Sequence, residues 1–195
     1  MSSNIEIEVK VLLSLADFEK VKKVMKADEY PLIKQTNHYI DTNRSQLRKY
    51  GMALRVREID KEYTLTLKSP LAEGLLEKNQ NLSGAEFEAL KMSSIFPEGD
   101  IKIFLIGLGV QVAKLQVLTS LTTHRISRPY QDCLFSMDEN YFDHQVDYEL
   151  EMEGTSVANA EIQMQEICKK AHVPFIRNTK SKQARAMNAL KSRKK

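Results

Sequence analysis

Four short segments of the chain place ionisable or hydroxyl side chains at every second position, between apolar residues. The residues are Glu6, Glu8 and Lys10; Arg55 and Arg57; Thr64, Thr66 and Lys68; and Glu149 and Glu151. Residues two apart lie on the same face of a β-strand, so each segment is predicted to have one polar and one apolar face. For any single segment, the structural interpretation is an antiparallel strand with one face in solvent.

The repetition of the pattern favours a second arrangement, in which the charged faces meet. If helices cover the apolar faces, the charged faces converge in a common interior, where burial without partners is costly. Arginine and lysine pair with phosphate oxygens, whereas carboxylates bind hard cations such as Mg²⁺ or Mn²⁺. The pattern therefore predicts an interior that holds a triphosphate together with divalent metal ions.

Other common kinds of site are disfavoured by the sequence. The four histidines lack the close spacing of a zinc site, and they stand at His38, His124, His144 and His172. The chain contains no Gly-x-x-x-x-Gly-Lys loop, no Gly-x-Gly-x-x-Gly turn and no Gly-x-Ser-x-Gly elbow. Phosphate binding is therefore expected from the sheet itself.

The first charged segment, Glu6-Ile7-Glu8-Val9-Lys10, resembles the Glu-x-Glu-x-Lys signature of the CYTH family, also called the triphosphate tunnel metalloenzymes. This family takes its name from a class of adenylate cyclases and from thiamine triphosphatase. Further elements follow in the family's order over nearly the whole chain: Tyr39-Ile40-Asp41-Thr42, Leu54-Arg55-Val56-Arg57, Leu65-Thr66-Leu67-Lys68, Arg125, Asp138, Glu149-Leu150-Glu151 and Ser181-Lys182.

The resemblance implies an α+β fold, in which an eight-stranded antiparallel β-barrel forms a tunnel and helices pack on its outside. It implies that Mg²⁺ or Mn²⁺ is held by Glu6, Glu8, Glu149 and Glu151, with Asp138 assisting or orienting a basic neighbour. The residues expected to grip the phosphates are Lys10, Arg55, Arg57, Lys68, Arg125 and Lys182, of which Lys10, Arg57 and Lys182 are the expected catalytic residues. The implied reaction is in-line attack of a metal-activated water on a terminal phosphorus.

The periodicity of the chain predicts the elements that would position these residues. Strands are predicted at Ile5–Leu12, His38–Thr42, Met52–Ile59, Glu62–Lys68, Val117–Ser127, Asp132–Asn140 and Val146–Glu153. Helices are predicted at Ser14–Ala27, Ala85–Ser93, Asp100–Leu108, Val157–Ala171 and Ser181–Lys191. The middle of the chain, residues 71–109, is expected to form either a lid or a bundle beside the sheet.

Three segments with acidic residues depart from the pattern. In the family that the chain resembles, members often carry a further basic and acidic strand after the one ending at Lys68, but Leu75–Leu82 offers only Glu77 and Lys78 before a Ser-Gly break. Glu86 and Glu88 also form a Glu-x-Glu pair, although their setting favours the start of a helix, where acids interact well with the dipole. Glu153 continues the face of Glu149 and Glu151 but precedes a glycine, so it is assigned to the rim and left out of the metal set.

Composition is consistent with one cytoplasmic domain spanning 1–195. The 195 residues are 42% hydrophobic and 28% charged, and no apolar run approaches the roughly 18 residues of a membrane span. Cys133 and Cys168 have apolar neighbours, as expected of core thiols in a reducing compartment. The net charge of +3 is spread along the chain, so neither nucleic acid nor a membrane is an expected partner. The protein is expected to be a monomer or a homodimer.

Four functions remain open from the sequence. The first is a metal-dependent hydrolase of inorganic triphosphate or of a small organic triphosphate such as thiamine triphosphate, because nothing in the chain is recognisable as a nucleobase reader. The second is an adenylate cyclase, since the resembled family includes ATP cyclisation. The third is a non-catalytic sensor of polyphosphate or nucleotides. The fourth is a structural protein whose charged strands face solvent.

Overall fold

The computed structural model describes residues 2–193 and contains one antiparallel sheet and six α-helices. The strands are β1 (Ser2–Glu6), β2 (Glu8–Leu13), β3 (Leu32–Asp41), β4 (Ala53–Ile59), β5 (Glu62–Pro70), β6 (Leu75–Leu82), β7 (Gln116–Tyr130), β8 (Cys133–Phe142) and β9 (Gln145–Glu153). The helices are α1 (Leu15–Val24), α2 (Gln46–Lys49), α3 (Gly84–Ser93), α4 (Asp100–Gly107), α5 (Val157–Lys170) and α6 (Lys182–Arg193).

The sheet is curved so strongly that its two edge strands, β1 and β2, follow one another directly in the chain. Its strand order is β1-β6-β5-β4-β3-β7-β8-β9-β2, and the two edge strands are consecutive in sequence, separated only at Ile7. In β1, Glu6 lies opposite Leu75 of β6, whereas in β2, Glu8 lies opposite Glu153 of β9. The result is a nearly closed barrel with nine strands. The predicted count of eight is therefore wrong by one, because the N-terminal strand divides between two neighbours.

Two apolar cores lie on the outer surface of the barrel. The first joins α1 and α5 to the outward faces of β2, β8 and β9, with Val11, Phe135 and Leu150 among its fully buried residues. The second joins α3 and α4 to β4 and β5, where Leu54 and Leu65 are 0% exposed. The alternation of apolar and charged residues thus directs every second side chain outwards to these helices. Within residues 71–109, the helices pack beside the sheet, which is one of the two predicted arrangements.

The region after β5 forms a regular part of the barrel wall. Leu75–Leu82 is strand β6, and Glu77 lies opposite Lys68 of β5. The following helix begins with a capping box, in which the Ser83 hydroxyl accepts from the Glu86 amide and the Glu86 carboxylate accepts from the Ser83 amide. The predicted capping role of Glu86 is confirmed, and Glu88 lies exposed on the same helix.

The last helix, α6, packs on the inner surface of the barrel. Ala186 and Ala189 pack with Tyr39, Leu121 and Phe142, which stand on the inward faces of three neighbouring strands. The small alanine side chains allow the helix to approach the sheet closely. The predicted placement of helices on the outside therefore holds for α1 and α3–α5 but not for α6. As a consequence, the first turn of α6 projects into the centre of the barrel.

No helix among residues 2–193 has the length and apolar character that are needed to cross a bilayer.

Candidate functional site

The inward faces of the strands and the first turn of α6 surround a cavity of about 400 Å³. All six predicted phosphate-binding residues line this cavity: Lys10, Arg55, Arg57, Lys68, Arg125 and Lys182. Of the predicted metal ligands, Glu6, Glu8 and Glu151 also line it. Asp138 and Glu149 are fully buried just behind the lining, where they contact its basic side chains. The structure therefore brings every predicted site residue together.

Three carboxylates converge on one point of the wall. Oxygen atoms of Asp138, Glu149 and Glu151 all lie within 4.8 Å of one another. The Lys182 ammonium lies among them, at 2.7 Å from Asp138 Oδ2 and 2.5 Å from Glu149 Oε2, and it also contacts Glu151. Burial alone would lower the pKa of Lys182, but the three carboxylates raise it. The lysine therefore stays charged and neutralises part of the cluster.

Arg125 supplies the second positive charge to the same cluster. Its guanidinium donates two hydrogen bonds to Asp138, Nε to Oδ1 at 2.7 Å and Nη2 to Oδ2 at 2.6 Å, and also contacts Glu151. Burial opposes ionisation of Glu151, but Lys182 and Arg125 hold the pKa of its carboxyl well below the usual range. Glu151 is therefore a carboxylate at neutral pH.

A second group of charges lies along the seam, the junction at Ile7 between β1 and β2, where the N-terminal strand divides. Lys10 Nζ lies 2.6 Å from Glu8 Oε1, and Lys68 Nζ lies 2.9 Å from Glu77 Oε1 and contacts Glu6. Burial raises the pKa of Glu8, and the nearby Glu151 raises it further. Adding positive charge at this point would relieve that repulsion.

Arg55 and Arg57 differ from the other cations in the cavity. Neither forms an ion pair with a carboxylate of the described residues, although both project from β4 into the cavity. Desolvation, together with Arg55 and Arg125, lowers the pKa of Arg57 to about 9. The Nε atom of Arg55 is buried and has no hydrogen-bond partner among residues 2–193. An anion that entered the cavity would supply the charge that these two residues lack.

The carboxylates fit a divalent cation by their chemistry. Mg²⁺ and Mn²⁺ prefer hard oxygen ligands, and three carboxylates within 4.8 Å offer such a donor set, with Glu8 and Glu6 on the same cavity. A larger hollow of about 550 Å³ lies elsewhere on the protein, beside Arg44, Lys49 and Lys114. None of the described residues that line it is acidic, so it lacks ligands for such an ion.

Several residues of the site were absent from the prediction. Arg185 donates to Asp147 at 2.7 Å and to both carboxylate oxygens of Glu149, at 2.9 and 3.0 Å, and is therefore a second cation on Glu149 besides Lys182. Both residues follow simple spacing rules, since Asp147 precedes Glu149 by two strand positions and Arg185 follows Lys182 by three helix positions. Glu153, assigned to the rim, lines the cavity. Asn37 also lines it, and was missed because β3 begins six residues before the predicted strand.

Comparisons with known proteins show which sequences this chain resembles. The sequence model of the CYTH domain matches residues 4–186. A Bacillus subtilis (strain 168) protein named "Putative triphosphatase YjbK" is 33% identical over 182 residues, covering 93% of this chain and 94% of its own length.

Solved structures share the fold. A crystal structure described as a "putative adenylate cyclase" from Bacillus halodurans is 35% identical, with a TM-score of 0.88 over 95% of this chain and 98% of that chain. HpAC1 from Hippeastrum, described as a "putative adenylyl cyclase" with a dominant triphosphatase activity, is 21% identical, with a TM-score of 0.76 over 95% and 96%.

Proposed function

Because the chain belongs to the CYTH domain family, we propose that it is a metal-dependent triphosphatase that hydrolyses inorganic triphosphate or a small organic triphosphate in the barrel cavity. The observation that carries the proposal is that cationic side chains without acidic partners and a cluster of carboxylates lie at the same cavity. Arg55 and Arg57 lack acidic partners there, whereas Asp138, Glu149 and Glu151 form a cluster suited to a cation. A phosphate chain with a bound divalent ion complements both groups.

The residues of the chain have distinct tasks in this proposal. Arg55 and Arg57 bind phosphoryl oxygens and stabilise the charge that develops on them as the terminal phosphoryl group transfers. Lys10, Lys68, Arg125 and Lys182 extend the cationic lining and orient the phosphate chain. A divalent ion held by the carboxylates would supply Lewis-acid neutralisation of the phosphate oxygens. The barrel wall holds these groups on rigid strands, so positioning contributes much of the rate.

The lining of the cavity favours a substrate without a large organic group. Among its described residues, the single aromatic side chain is Tyr39, and this residue is 3% exposed and packs with α6. A nucleobase therefore has no exposed ring to stack on. For this reason we place hydrolysis of a simple triphosphate ahead of ATP cyclisation.

The test is a substrate panel. Inorganic triphosphate, thiamine triphosphate and ATP are each incubated with the protein and Mg²⁺ or Mn²⁺, and orthophosphate and cyclic AMP are both measured. Orthophosphate release that is lost in Glu8→Ala and kept in Glu166→Ala is expected, because Glu166 lies on the outer surface with a side chain 44% exposed. Equal release by wild type and Glu8→Ala would refute the carboxylate assignment. Cyclic AMP formation would identify a cyclase, and binding without turnover would identify a sensor.

A further inference from the structure

Asn37 is a buried amide in the wall of the cavity whose hydrogen bonds are only half satisfied. It lies on β3, opposite Arg57 of β4 and Leu121 of β7, and it is 1% exposed. Its side chain points inwards, between those of Gln35 and Tyr39, and all three line the cavity. Its neighbours therefore include one of the two arginines that lack an acidic partner.

The orientation of the Asn37 amide is fixed by this arginine. Arg57 Nε lies 3.1 Å from Asn37 Oδ1. A guanidinium group can only donate hydrogen bonds, so the amide oxygen must face Arg57 and the amide nitrogen must face away from it. Asn37 Nδ2 is buried and donates no hydrogen bond to any group in the described part of the chain. A buried donor without a partner is rare in native proteins and destabilising, so it calls for an acceptor from outside the chain.

The surroundings of this donor select the kind of acceptor. Arg55 and Arg57 stand on the adjacent strand, and neither has a carboxylate partner among the described residues, so this side of the cavity is rich in donors and poor in acceptors. An anion with several oxygens can bind both guanidinium groups and the amide at once. A phosphoryl group has this geometry, since its oxygens are strong acceptors that point in different directions.

Building on the proposed function, we propose that Asn37 is a substrate-binding residue, whose Nδ2 donates to a phosphoryl oxygen while its Oδ1 holds Arg57 in position. The amide adds a neutral donor beside two cations, so it contributes direction without further repulsion between positive charges. The hydrogen bond from Arg57 Nε to Asn37 Oδ1 therefore has two effects. It orients the Arg57 side chain, and it turns Asn37 Nδ2 away from Arg57, where it can donate to the phosphoryl oxygen.

The experiment measures binding of inorganic triphosphate to the metal-free protein by calorimetry in the presence of a chelator, alongside KM and kcat with Mg²⁺ or Mn²⁺. Asn37→Asp keeps an acceptor for Arg57 but replaces the donor with an oxygen. We expect its affinity to fall by roughly tenfold or more relative to a matched charge control, the factor that a hydrogen bond to a charged oxygen contributes. The control is Gln35→Glu, which introduces the same charge on the same strand and cavity.

Two outcomes would overturn the inference. Equal losses in Asn37→Asp and Gln35→Glu would mean that only the added charge matters. Binding by Asn37→Ala within about twofold of wild type would mean that the amide contributes nothing, and this neutral variant keeps the test valid if Asn37→Asp fails to fold. Absence of both binding and hydrolysis in the wild type would instead refute the proposed function, and with it the inference.

Discussion

Lys182 Nζ lies 2.7 Å from Asp138 Oδ2, so a side chain of α6 occupies the centre of the carboxylate cluster. The ammonium contacts carboxylate oxygens of Asp138, Glu149 and Glu151, the three residues that would be available to a divalent ion. Under the proposed function, a metal ion bound by these carboxylates would compete with the lysine, and an incoming phosphate group would offer the lysine another partner. The position of α6 inside the barrel is what makes this competition possible.

The first prediction concerns Lys182→Met. Without metal, this change leaves buried carboxylates short of a positive charge, and the expected cost is about 3–5 kcal/mol of unfolding free energy. Mg²⁺ or Mn²⁺ should raise the melting temperature of the variant more than that of the wild type, because the ion replaces the ammonium. Thermal unfolding with and without metal measures both effects. Lys180→Met, at an exposed neighbouring position, is the control, and an unchanged melting temperature in Lys182→Met would contradict the assignment.

The second prediction concerns Arg57→Met, which removes a partly buried cation that has no acidic partner among the described residues. We expect the affinity for inorganic triphosphate to fall by roughly 10- to 100-fold, because a charge-assisted contact is lost. The melting temperature of the ligand-free protein should change by only a few degrees, since relief of the repulsion with Arg55 and Arg125 offsets the lost hydrogen bond to Asn37. The control is the exposed Arg48→Met. A large loss of stability would mean that Arg57 serves the fold rather than the ligand.

The third prediction concerns His38, which lies on the outer face of β3 beneath α3. Its Nδ1 lies 2.8 Å from Ser120 Oγ, its Nε2 lies 3.2 Å from Glu58 Oε2, and its ring packs against Phe87. Burial lowers the pKa of His38, and Glu58 opposes this shift without cancelling it. The native state therefore binds the proton less readily than the unfolded state, whose histidine pKa is about 6.5. Stability should fall as the pH drops below about 6.5.

Urea unfolding at a series of pH values between about 5 and 7.5 measures this effect. Carboxylates also titrate in part of this range, so the informative quantity is the difference between wild type and His38→Gln. The variant should lose less stability on acidification. His144→Gln provides the control because the His144 side chain is 88% exposed. Identical pH profiles for wild type and His38→Gln would contradict the prediction.

The fourth prediction concerns Gly74, in the turn between β5 and β6. Its φ is +77°, and a Cβ atom there would lie 2.5 Å from the backbone oxygen of Glu6. Gly74→Ala should therefore cost more than the roughly 1 kcal/mol of an unfavourable backbone alone, and should disturb the seam that carries Glu6. Gly107→Ala is a matched control, since nothing lies within 4 Å of its added Cβ atom, and it should be neutral or stabilising. Chemical denaturation of both variants provides the comparison.

The strands and their faces could be predicted because alternation reports directly on which side chains share a face. Glu6, Arg57 and Glu151 are found on the inward side for this reason. Alternation does not report which strands pair, so the division at Ile7 was missed. The alternation signal is also weak where polar residues follow one another, as they do before His38. For this reason the sequence predicts β3 from His38, whereas the strand begins at Leu32. Asn37 lies in the part that was left out.

The placement of α6 could not be predicted from its own sequence. Ala186 and Ala189 give it a small apolar face, and such a face packs equally well on the outside of a sheet or on its inner surface. The spacing of Lys182 and Arg185 shows that they share a side of the helix, but not that carboxylates of β9 face them. Which carboxylates face Lys182 and Arg185 depends on how the whole sheet curves. The residues brought together in the cavity agree with the prediction, and their individual roles stay predictions.

The divided N-terminal strand has a consequence for how the protein is made. Within the described residues, β1 and β2 precede all other strands, yet β1 pairs with β6 and β2 pairs with β9, which ends only at Glu153. The backbone groups of β2 therefore have no strand partner on that side until β9 has been synthesised. Pairings so distant in sequence form slowly, and we expect the nascent chain to expose the unpaired edge of β2 until β9 has been made.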